Sequence, residues 1–76
     1  MKRVQVFLRA PLFTTRAGGH IPRKAMILDG EVQEQGNGGI TIKIQTWRDE
    51  DGKELAGETH QLFIPSSKLD HIWLLD

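Results

Sequence analysis

Apolar side chains recur at every second position in three stretches of this chain, the period of a strand with one buried face. Val4, Val6 and Leu8 alternate with Arg3, Gln5 and Arg9, and Phe7 alone interrupts the polar face. Across residues 25–34, Met26, Leu28 and Val32 oppose Asp29, Glu31 and Gln33, with Gly30 on the apolar side. Ile40, Ile42 and Ile44 alternate with Thr41, Lys43 and Gln45, a β-branched run that favours strand. Residues 55–64 read as a fourth strand with a bulge at Gly57, and Ile72 to Leu75 as a fifth.

Breakers and turn residues place the connections. Pro11, Gly18, Gly19 and Pro22 make residues 10–24 a long irregular loop, which Leu12, Phe13 and Ile21 are expected to pin down. Asn37-Gly38 sits between two alternating runs, and Asn-Gly tolerates the positive φ angles that a two-residue hairpin demands. Asp51-Gly52 marks a second reversal within a run of four acids, read as a solvated turn because its spacing lacks a calcium-loop ligand pattern. Pro65 cannot donate to a ladder and ends the fourth strand. Ser67 stands three residues before Asp70, the spacing of a reciprocally capped helical turn.

The expectation is an all-β fold: a small five-stranded antiparallel barrel with a long first loop and one short 3-10 turn before the last strand. Gly30 in a bent second strand, and the passage from Phe63-Ile64-Pro65 to Ile72, carry a topological resemblance to the Src-homology-type (SH3-like) and Sm-like small barrels. That resemblance spans most of the chain and implies a binding module. It carries no family binding residue onto this sequence, and fold by itself does not fix function.

Composition narrows the classes. Seventy-six residues suit one domain with a thin core. No cysteine is present, which excludes a disulfide scaffold and a thiolate metal site. Apolar runs are too short for a membrane span or a secretory signal, so a cytoplasmic protein without a membrane partner is expected. The net charge of zero hides asymmetry. Residues 1–28 hold six cations and no acid, whereas residues 29–76 hold ten acids and four cations.

Three kinds of chemistry follow. Arg3, Arg9, Arg16, Arg23 and Lys24, with Lys43 and Trp47 sharing a strand face, form a candidate surface for nucleic acid or another anion. The alternative use of those cations is local neutralisation, or an acidic protein surface as partner. Parity sends Phe7, Phe63, Trp73 and Leu75 outward, an apolar excess that suits a protein interface or a homo-oligomer. His60, Ser66, Ser67, Asp70 and His71 contain the residue types of a hydrolytic or metal site, yet no nucleophile motif or paired ligand spacing surrounds them. The chain is therefore expected to be a non-enzymatic binding module without metal or cofactor.

Overall fold

The computed structural model describes residues 2–14 and 21–75. They form six antiparallel strands: β1 (Lys2–Phe13), β2 (Lys24–Gly36), β3 (Gly39–Arg48), β4 (Glu54–Leu55), β5 (Gln61–Pro65) and β6 (Leu69–Leu74). Along the sheet the order is β4-β3-β2-β1-β6, and β5 pairs with β3 beyond β4. The fold is all-β, as the alternation predicts.

Two turns follow directly from residue chemistry. Asn37 and Gly38 take φ of 49° and 85°, so the β2–β3 hairpin closes in two residues with Gly36 opposite Gly39. In the β3–β4 turn the Asp49 carboxylate accepts from the N–H groups of Asp51 and Lys53, each at 2.9 Å. Gly52 completes that turn at φ 84°. The acidic run is held by its own first member.

The sheet bends where β2 meets β3. A Cβ added to Gly30 would run into the Lys43 carbonyl oxygen, so only glycine permits this approach of the two backbones. Immediately beyond, Asp29 pairs with Thr46 while Gly30 pairs with Ile44, leaving Gln45 as an extra residue in β3. Such a bulge reverses the facing of every later side chain in the strand.

Trp47 is consequently turned inward and only 2% exposed. It joins Val4, Val6, Leu8, Ala25, Leu28, Ile40, Ile42, Ile44 and Ile64 in the core. Strict alternation puts Trp47 on the polar face, and the bulge overturns that expectation. Ala25 takes the core position expected of Met26, and Leu74, expected inside, is 65% exposed.

The described residues form six strands, and they do not close the sheet into the expected five-stranded barrel. The expected fourth strand is interrupted between β4 and β5, because the Trp47 indole N–H donates to the Glu58 carbonyl at 2.9 Å. Gly57 is required beneath that ring, since a Cβ there would lie 2.6 Å from the indole. β5 ends on Pro65, and β6 pairs with β1 rather than with β5. The sheet curls around its core and is not closed.

Three further expectations change. β1 continues through Pro11 to Phe13, so the long loop begins later. Of the three residues expected to anchor that loop, Leu12 packs on the core while Phe13 and Ile21 are exposed. Thr14 fixes the loop's neck instead: its N–H donates to the Arg23 carbonyl at 2.8 Å, and its Oγ1 accepts from the Arg23 N–H at 2.9 Å. The 3-10 turn Ser66–Lys68 does separate the last two strands, but no side chain caps it. Ser66 N–H donates to the Gly38 carbonyl at 2.7 Å, so the turn is tied to the β2–β3 hairpin by backbone.

Candidate functional site

The outer face of the β1–β6 pair carries an aromatic cluster. Antiparallel register sets Phe7 opposite His71 and Gln5 opposite Trp73. Cross-strand neighbours on one face stand close enough for rings to meet. Phe7 and His71 stack with centroids 4.3 Å apart and planes 10° from parallel. Trp73 leans on the same Phe7 ring at 5.1 Å and 51°. The three rings form one surface, on which Trp73 is 56% exposed.

Leu75 extends this surface at the end of β6. Its N–H donates to the Arg3 carbonyl at 3.0 Å, and its side chain is 48% exposed. Among the described residues β6 pairs only with β1, so no strand among them covers its other edge, beside the aromatic rings. Phe63, the fourth member of the expected patch, is half-exposed on β5, opposite Thr41. Its ring lies over Gly39, and no ring contact among the described residues joins it to Trp73.

His71 is the member of the cluster that apolar counting misses. Its Nδ1 also lies 3.1 Å from the Asp70 Oδ2. The signal for it in the sequence is the two-residue step from His71 to Trp73, which puts both on one strand face.

The cations do not form one track. Arg3 and Lys43 each pair across strands with Glu31, so an acid stands between them on the outer face. Arg23 lines a shallow cleft with Asp49 and Glu54, and Lys24 lines another with Asp49 and Glu50. Arg9 donates through Nε to the Leu69 carbonyl at 2.7 Å. Trp47, expected to stack bases beside Lys43, is buried and has no free face. Arg16, in the long loop, lies outside the described residues.

Alongside the aromatic cluster, β2 and β3 contribute a polar strip. Asp29 accepts from Gln5 Nε2 at 2.8 Å and from Arg48 Nε at 2.8 Å, and Arg48 also donates to the Gly52 carbonyl. This network links β1, β2, β3 and the β3–β4 turn.

The hydrolytic residue types are dispersed. His60 sits beside Trp47 with centroids 6.3 Å apart, whereas His71 is engaged by Phe7 on another strand. Among the described residues, no group of three or more His, Asp or Glu side chains is placed to hold a metal. No helix among them is long and apolar enough to cross a membrane.

The chain matches no protein-family model, no curated protein and no solved structure. Its own geometry therefore bears the functional argument.

Proposed function

We propose that this chain is a non-enzymatic binding module of the small-barrel type, assembling with a second copy of itself through the outer face and free edge of β6. One observation carries this: the Phe7–His71–Trp73 cluster stands exposed beside an unpaired strand edge, continued by Leu75. Clustered aromatic side chains with satisfied polar neighbours are the usual anchors of protein interfaces. Burying Trp73 alone contributes about 1.5 to 3 kcal/mol before association costs. An edge strand left open also favours pairing with another strand.

The charge layout favours a protein partner over nucleic acid. Cations placed beside Glu31, Asp49, Glu50 and Glu54 supply no continuous phosphate track. Zero net charge and the cross-strand alternation of Arg3, Glu31 and Lys43 suit self-complementary contact between copies.

Sedimentation equilibrium of the purified protein over a concentration series tests this proposal. The expected result is a mass that rises above the 8.6 kDa of one chain as concentration increases. A strictly monomeric protein that binds labelled single-stranded RNA or DNA saturably and in a salt-dependent way would overturn it in favour of nucleic-acid binding.

A further inference from the structure

The inner face of the sheet is left open at one end, remote in facing from the aromatic cluster. There a trough of about 500 Å³ has Val4, Val32, Ile40, Ile72 and Leu74 along its walls. Its size falls within the roughly 300–1,000 Å³ typical of small-molecule sites. Lys2, Gln33 and Gln35 complete the lining.

Register explains why these polar groups meet apolar ones. Lys2 shares its strand parity with Val4, Val6 and Leu8, so it occupies the inward-facing position at the open end of β1. Val32 pairs with Ile42 and Glu34 with Thr41, which leaves Gln33 as a bulge residue. Beyond this bulge Gln35 lies opposite the buried Ile40, so an amide stands where a core side chain would otherwise be. Leu74 pairs with Val4 across β1–β6 and remains 65% exposed over the trough.

Among the described residues Lys2 is the only charged one in the lining, and its ammonium makes no ion pair or hydrogen bond with any of them. A cation in the lining of an apolar trough is complementary to a ligand with an anionic head and an aliphatic body. The two glutamine amides add donors for the same head group.

We infer that this trough binds a medium-chain aliphatic carboxylate, its chain along Val32, Ile72 and Leu74 and its carboxylate on Lys2. The inference is independent of assembly through the outer face, because Leu74 and Trp73 point to opposite sides of the sheet.

The test is a methyl and amide NMR titration with sodium decanoate and with 1-decanol, both below micelle formation, on the native protein and on Lys2→Met. Lys2 is exposed, so the variant retains the fold, which its amide spectrum verifies. Expected are saturable shifts at Val32, Ile72 and Leu74, with decanoate bound about five-fold more tightly than decanol. Lys2→Met should abolish that preference while retaining decanol binding. Absence of saturable shifts, shifts centred on other residues, equal affinity for the two ligands, or a preference that survives Lys2→Met would each overturn the inference.

Discussion

His71 lies flat against Phe7 from the neighbouring strand, with ring centroids 4.3 Å apart. The contact joins the last strand of the chain to the first. Stacked pairs contribute beyond their buried area, so the two rings should be energetically coupled. Phe7→Ala is expected to lower stability by about 1 to 2 kcal/mol, since the ring is half-buried. A double-mutant cycle with His71→Ala, read by urea unfolding, should give a coupling of about 0.5 to 1 kcal/mol. Additive losses would mean that the stack carries no energy of its own.

Gly30 marks the closest approach of β2 and β3. Gly30→Ala puts a methyl group against the Lys43 carbonyl, and it also lies 3.0 Å from the Ile42 Cγ1. Backbone cannot yield as a flexible side chain does, so a loss of about 3 kcal/mol is expected. Gly36→Ala is the informative control: it meets nothing within 4 Å but must adopt a φ of 122°. Strain without a clash should cost about 1 to 3 kcal/mol. Thermal unfolding of the two variants checks the order, with Gly30→Ala melting lower.

Asp29 receives hydrogen bonds from two strands, through Gln5 and Arg48, at the centre of the outer face. The Arg48 and Asp29 side chains are 26% and 20% exposed, so solvent screens the pair only in part. Asp29→Ala is expected to lower stability by about 1 to 2 kcal/mol. Hydrogen exchange should accelerate at Gln5 and through the Asp49–Lys53 turn, because Arg48 also braces Gly52. An unchanged exchange pattern in that turn would show that the network does not extend to it.

Local rules suffice for some elements of this fold and fail at others for definable reasons. The Asn37-Gly38 turn, the role of Gly30 and the end of a strand at Pro65 each follow from the backbone freedom of one or two residues. Trp47 does not, because one extra residue at Gln45 reverses its facing, and a bulge has no period of its own. The outer patch is legible through Phe7 and Trp73, whose parity follows from alternation. Counting apolar residues passes over His71, which joins the two rings on the same face. Leu74 alternates as a core residue does but lies past the point where the sheet covers itself. The cations were legible as a cluster only in chain order. Folding sets Arg3 and Lys43 beside Glu31, and Lys24 beside Asp49 and Glu50, pairings that depend on register.

The most direct test of assembly through β6 is light-scattering mass measured after size exclusion for the native protein, Trp73→Arg and Lys43→Glu at matched concentrations. Trp73 is exposed within the proposed contact, whereas Lys43 is exposed on β3 away from it. The native protein and Lys43→Glu should run as multiples of one chain, while Trp73→Arg, verified as folded by circular dichroism, should fall to 8.6 kDa. A folded Trp73→Arg that keeps the native mass, or a native protein that is already a single chain, would contradict the account.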